Sequence, residues 1–226
     1  MTGFDIATFM QNLAIWAVPV LLAITLHEAA HGFVANRYGD STAWMLGRVT
    51  LNPLKHIDPL GTVLLPMLML AFTGFIFGYA KPVPVNFSRL RDIKWDTVKV
   101  ALAGPMTNLL LAVVSVGVMW IALALPQSFQ LPLLKICAAS VMINFILMWL
   151  NLIPLLPLDG GRTLHALLPP RQQMAFAQTE RYGFIILLIL LLTGLLFQIL
   201  MPLLNFSVAL LNNVAPVNLF LLARNI

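Results

Sequence analysis

His27, Glu28 and His31 form the pattern H-E-x-x-H inside the apolar stretch 21–39, LLAITLHEAAHGFVANRYG. On an α-helix, positions four apart lie on one face about a turn from each other, so both imidazoles can reach one metal ion. Neutral imidazoles at this spacing suit Zn2+, and the carboxylate of Glu28 beside them is placed to act as general base toward a water. A pattern with three fixed positions often matches by chance in soluble proteins. Here it lies in an apolar helix, where a charged side chain costs about 2.5–3.5 kcal/mol near the bilayer centre, so packing is a poor explanation. A catalytic zinc needs a third protein ligand. Asp159, flanked by Leu158 and by Gly160 and Gly161 at the end of another apolar run, is the favoured candidate. Its carboxylate suits zinc, and the glycines permit a tight turn. His56 and His165 are the other candidates, both in polar connectors where histidine more often faces solvent or headgroups.

The elements that must carry these residues are membrane helices. Of 226 residues, 60% are hydrophobic and 9% charged, and the mean hydropathy is +0.92. An ordinary soluble domain is excluded by this composition. Several apolar runs reach the roughly 20 residues that cross a bilayer, and such runs satisfy their backbone only as helices. The formal charge of +5 is spread over connectors and fits contact with anionic headgroups, while no basic patch interleaved with aromatics points to nucleic acid. Cys137 is the one cysteine, which rules out an intrachain disulfide and a cysteine zinc knuckle. No Lys or Arg precedes the first apolar run, so a cleavable signal peptide is not expected there.

A single membrane-embedded domain over 1–226 is expected, all-α and polytopic. It should hold about five membrane helices, four clear spans and a weaker C-terminal one. The metal helix covers 9–36. The region 37–99 contains GRVTLN at 47–52, which alternates like a short strand, and an apolar run at 60–79 interrupted by Pro66, Gly74 and Gly78. AKPVPVN at 80–86 should be extended by its prolines. Core spans follow at 100–125 and 133–153, the second continuing through NLIPLLPLDGGR to 162. A polar connector covers 163–181, and C-terminal helices cover 182–226. The first of these is the run 182–200. Beyond Met201 the chain is interrupted by Asn205, Asn212, Asn213, Pro216 and Asn218, which suits a weak span or an interfacial segment.

Parity constrains the arrangement. His27 and His31 lie toward the C-terminal end of their span, and Asp159 lies beyond the C-terminal end of 133–153. They meet only if both ends share a membrane face, and 100–125 runs the other way. The segment 60–79 must then make no net crossing, as a re-entrant hairpin or a broken, membrane-dipping segment, for which Pro66, Gly74 and Gly78 are suitable. This arrangement gathers Arg37, Arg48 and Lys55, then Lys81, Arg89, Arg91, Lys94 and Lys99, then Arg162, Arg171 and Arg181 on one face. The N-terminus and the loop 126–132 carry neither Lys nor Arg. The positive-inside rule puts the basic face, and the metal site near it, toward the cytoplasm.

At these residues the chain resembles a known family. HEAAH at 27–31, with N-x-x-P-x-x-x-x-D-G at 151–160, is similar to the site-2 protease family of intramembrane zinc metalloproteases. AGPMTN at 103–108 resembles that family's third conserved segment, and LNPLKHIDPLGT and AKPVPVN resemble its compact bacterial branch. The resemblance covers roughly 15–165. It implies that His27, His31 and Asp159 hold zinc and that Glu28 activates water. It also implies a re-entrant β-rich loop after the metal helix and a membrane-embedded site that cuts transmembrane substrates near the cytoplasmic side. Many relatives carry a PDZ or cystathionine-β-synthase-type domain, or an extra span before the metal helix. These 226 residues are not expected to hold either domain, which bears on regulation and substrate choice more than on the chemistry.

The expected function is an intramembrane zinc metalloendopeptidase with one Zn2+ per chain, in the bacterial cytoplasmic membrane. Its partners are a transmembrane protein or peptide substrate and the lipid bilayer, with no nucleic acid. Asn108 and Asn151, in or at the ends of apolar spans, can hold the substrate or donate to a developing oxyanion. Bonding between helices is the alternative, and it is the favoured one for Asn144. The backbone of 48–52 or 83–86 can pair with an unwound substrate by strand addition. A membrane metal transporter or a catalytically silent zinc scaffold is the rival reading. A transporter tends to show inverted repeats or ionisable groups strung along a path, whereas here the groups converge beside a general base. An aspartyl dyad lacks a second aspartate at depth, and Ser115 and Ser140 lack a serine-protease motif.

Overall fold

The computed structural model describes residues 6–64 and 81–224. The first helix, α1 (Ile6–Arg37), has no acidic residue in its first turn and carries His27, Glu28 and His31 in its C-terminal half. After the short α2 (Thr42–Met45), the next long helix among the described residues is α3 (Ile93–Ala122). The start of α3 is set by Asp92, whose carboxylate accepts from the N–H groups of Lys94 and Trp95 at 3.1 Å each. Asp96 returns a bond to Asp92 N at 2.9 Å. A reciprocal cap of this kind satisfies donors that a helix start leaves unpaired. The helix therefore begins at 93, before the apolar run expected from 100.

A tight turn leads to α4 (Gln127–Asn151), so most of the expected loop 126–132 is helical. Three helices follow before the last span: α5 (Asp159–Leu167), α6 (Pro170–Ala177) and α7 (Glu180–Leu192) cover the stretch to 192, and α8 (Leu195–Asn212) and α9 (Leu219–Arg224) complete the described chain. By length and apolar composition α1, α3, α4 and α8 can each cross a bilayer, and α6 with α7, bent by 61°, makes a fifth such stretch. The protein is a polytopic all-α membrane protein.

Three expectations are corrected. The polar connector 163–181 is largely helical. The run 182–200 is not one span, because the helix breaks at Thr193 and Gly194 (φ +77°), a left-handed conformation that glycine adopts without penalty. The span of this region is α8, which absorbs Pro202 and Asn205 and ends at Asn212. The strand at 47–52 is also absent. Asn52 N donates to Thr50 Oγ1 at 3.2 Å and Leu54 N to Asn52 Oδ1 at 3.0 Å. Such local side-chain bonds compete with strand pairing and turn the chain. The re-entrant path expected over 60–79 lies outside the described residues from 65 onward; Pro59–Leu64 forms one wide helical turn.

Lipid supplies no hydrophobic drive between spans, so close packing and polar contacts hold them together. Small residues line the contacts and let backbones approach: Ala23 and Ala35 on α1, Ala101 and Ala112 on α3, Ala138 and Ala139 on α4 are all buried. Large apolar side chains such as Leu22, Leu110 and Ile199 face outward, as lipid-facing positions do. Arg91 N donates to Tyr38 O at 3.1 Å, so the chain leaves α1 and re-enters α3 at the same end of the bundle. At the other end Trp120 Nε1 donates to Val214 O at 3.1 Å.

Candidate metal centre

α1 and α3 bring the two histidines together with their Nδ1 atoms already committed. His31 Nδ1 lies 2.7 Å from Val100 O. A backbone carbonyl only accepts, so His31 carries its proton on Nδ1 and leaves Nε2 bare. His27 Nδ1 lies 2.6 Å from Asn108 Oδ1, which puts its proton on Nδ1 as well. The two bare Nε2 atoms face each other at 3.1 Å.

Asp159 opens α5 and supplies the third corner. Its Oδ2 lies 3.2 Å from His27 Nε2 and 3.4 Å from His31 Nε2. As neutral imidazoles neither nitrogen has a proton to give, and among the described residues Oδ2 is buried with no hydrogen-bond donor. Three lone-pair atoms converging without a proton between them make a poor resting arrangement in a low-dielectric interior. They make a good cation site. A tetrahedral zinc with bonds of about 2.0–2.1 Å spaces its ligand atoms about 3.3–3.4 Å apart, close to the three edges found here. These residues form the one His/Cys/Asp/Glu cluster with metal-ligand spacing among the described residues. All three side chains are buried or nearly so.

Two glycine-bearing segments shape the site. A Cβ on Gly104 of α3 would stand 2.5 Å from His27 Nε2 and 2.5 Å from His31 Nε2, so only glycine leaves room in front of both ligand atoms. AGPMTN contains Gly104, but its residue type gave no sign of facing the histidines. The second segment is Gly160 and Gly161, where a Cβ would collide with the backbone of Leu152 and Leu155. Glycines here let α5 press against the loop after α4, which sets Asp159 in place. Gly183 of α7 packs against Leu156 O on the same loop.

The remaining candidates are placed as follows. Glu28 Oε2 accepts from Val83 N at 2.8 Å, so the irregular stretch 81–86 lies across the general-base candidate. That stretch is anchored further by Lys81 N to His56 O at 2.9 Å and by Asn86 N to Asp40 Oδ2 at 2.6 Å. Asn108 uses both faces of its amide, Oδ1 on His27 and Nδ2 on Asn144 Oδ1 and Ala23 O. Asn151 ends α4 and gives Nδ2 to Leu147 O at 3.0 Å. His56 is buried in the 50–56 turn with Nε2 3.1 Å from Thr50 O, and His165 stacks on Phe176 beside a cavity of about 550 Å³. Neither joins the cluster.

Comparison with known proteins gives a consistent picture. Residues 117–194 match the model of peptidase family M50. The chain is 37% identical over 192 residues to "Putative zinc metalloprotease YwhC" of Bacillus subtilis (strain 168), covering 83% of this chain and 84% of that one. It is 33% identical over 193 residues to Rip2 of Mycolicibacterium smegmatis, which bears a name of the same form, covering 83% of this chain and 69% of the relative. No solved structure matches.

Proposed function

The chain belongs to peptidase family M50, the site-2 protease family, and from that footing we propose that it is an intramembrane zinc endopeptidase. Its substrates would be single transmembrane segments of other proteins. The observation that carries this reading is the proton-free triangle of His27 Nε2, His31 Nε2 and Asp159 Oδ2, built among membrane helices beside Glu28. His27, His31 and Asp159 would hold one zinc per chain. A zinc held there would supply Lewis acidity and lower the pKa of water to about 7.

The chain's own residues do the rest. Glu28 takes the proton from the attacking water as its oxygen bonds to the scissile carbonyl carbon. It then gives that proton to the departing amine as the C–N bond breaks, leaving a carboxyl and an amino terminus. The Val83 N–H holds the carboxylate of Glu28 in one orientation. Asn108, with both amide faces engaged, orients His27 and has no proton left for substrate. Among the described residues the amide oxygen and second N–H of Asn151 have no partner, which suits contact with an opened substrate strand. Strand addition falls to Val85: Pro84 has no N–H and that of Val83 is taken, whereas the N–H of Val85 has no partner among the described residues. The Lys and Arg distribution supports a site toward the cytoplasmic side of the bacterial inner membrane.

The test is cleavage of a panel of single-span model substrates by purified protein in detergent, wild type beside Glu28→Gln, with zinc measured on both. The reading expects cleavage by wild type alone and equal zinc in both. Equal cleavage by both proteins would refute Glu28 as the base. Zinc in both without cleavage in either would favour a transporter or scaffold.

A further inference from the structure

A chain of buried polar groups leads away from the candidate metal centre into the bundle. From His27 Nδ1 it passes to Asn108 Oδ1 at 2.6 Å, then from Asn108 Nδ2 to Asn144 Oδ1 at 2.9 Å. Asn144 Nδ2 continues to Ser140 O at 2.8 Å and to Ser140 Oγ at 3.3 Å. The hydroxyls of Ser140 and Ser115 close the chain at 2.7 Å. Asn108 and Asn144 are 0% and 1% exposed.

The direction of the bonds from Asn144 to His27 is forced. An amide can present oxygen or nitrogen to a neighbour, and alone Asn108 could offer either to His27. Ser140 O is a backbone carbonyl and can only accept, so Asn144 must turn its NH2 toward it and its oxygen toward Asn108. Asn108 must then turn its NH2 toward Asn144, an orientation that Ala23 O, a second backbone acceptor at 3.4 Å, also favours. Its oxygen is left for His27, which has to carry its proton on Nδ1 and keep Nε2 bare. His31 obtains the same tautomer directly from Val100 O. His27 obtains it at two removes.

We propose that Asn144 is a positioning residue for the metal centre, acting through Asn108 to fix the tautomer and ring orientation of His27. The inference rests on the metal reading above. It differs from simple helix-to-helix bonding in one respect: removing Asn144 should weaken metal binding only while Asn108 is present. Outer partners of metal-bound histidines typically contribute about 10–100-fold in affinity.

The experiment is zinc affinity, by competition with a chelator, of purified full-length protein. The set is wild type, Asn144→Leu, Asn144→Ala, Asn108→Ala and the double variant Asn108→Ala/Asn144→Leu. Co2+ absorption of each reports ligand geometry independently of turnover. Leu fills the site and Ala empties it, so a packing effect would separate the two. The expected result is a loss of about tenfold in both Asn144 variants, an altered Co2+ spectrum, and a double variant no weaker than Asn108→Ala. Wild-type affinity in the Asn144 variants would overturn the proposal, as would losses that multiply in the double variant. If Asn144→Leu does not fold, Asn144→Ala alone decides by the same criterion. Wild type that binds no zinc would overturn the metal reading itself, and this proposal with it.

Discussion

The carboxylate of Glu28 accepts a hydrogen bond from the backbone N–H of Val83 at 2.8 Å, across 55 residues of sequence. One contact thus ties the general-base candidate to the irregular stretch proposed to receive substrate. Two proline substitutions separate these roles. Val83→Pro removes the donor to Glu28 and should lower kcat by about 100-fold, the scale of a misplaced catalytic group. Val85→Pro leaves Glu28 held and removes an N–H that has no partner among the described residues, so it should raise KM more than it lowers kcat. Both should keep wild-type zinc. Steady-state cleavage of a single-span substrate checks the split.

Gly104 and Gly117 lie on the same helix and should behave oppositely. An Ala side chain at Gly104 would stand 2.5 Å from both ligand nitrogens, and Gly104→Ala should reduce zinc affinity by at least about tenfold. A Cβ at Gly117 meets nothing within 4 Å. Gly117→Ala should bind zinc normally and gain about 0.5–1 kcal/mol of stability from helix propensity. Zinc titration and thermal midpoints in detergent read both.

Gly183 is remote in sequence from the metal centre but packs on Leu156 O, in the loop that delivers Asp159. Gly183→Ala has to push α7 off that loop. Overpacking of this kind costs about 1–3 kcal/mol, and a displaced Asp159 should weaken zinc binding as well. Unfolding midpoints with and without added zinc would show a lower apo midpoint and a smaller zinc-induced shift.

Asp40 anchors the stretch 81–86 to the turn after α1. It is fully buried and accepts from Thr42 N and Oγ1 and from Asn86 N. Burial alone would raise its pKa, but the hydrogen bonds from Thr42 and Asn86 outweigh that and hold it below the ordinary aspartate value. A depressed carboxyl contributes stability in full above its unfolded pKa of about 3.9 and loses it as pH falls through the folded one. At pH 7 Asp40→Asn should be less stable by about 1.5–3 kcal/mol, the scale of a charged hydrogen bond. The gap should close below about pH 4. Unfolding midpoints of both proteins across pH 3–7 test this.

Much of the site was legible in the sequence because ionisable groups in apolar runs have few other uses. His27, His31 and Asp159 stood out for that reason, and letting them meet required their span ends to share one membrane face. Gly104 was not legible. Its role is to be absent in front of two histidines, and that appears only when α1 and α3 are packed. The break at Gly194 was hidden because a glycine in an apolar run is compatible with a continuous membrane helix. GRVTLN misled for a local reason: Thr50 and Asn52 bond to their own backbone and turn the chain before a strand can pair. Asn108 showed polarity at depth but not direction, since its partners come from α1 and α4.

The most direct test of the account is the zinc content of purified protein, wild type beside Asp159→Ala and His165→Ala, measured after dialysis against a weak chelator. Wild type and His165→Ala should each retain about one zinc per chain, and Asp159→Ala should lose most of it. Zinc retained by Asp159→Ala, or lost from His165→Ala alone, would contradict the proposed ligand set.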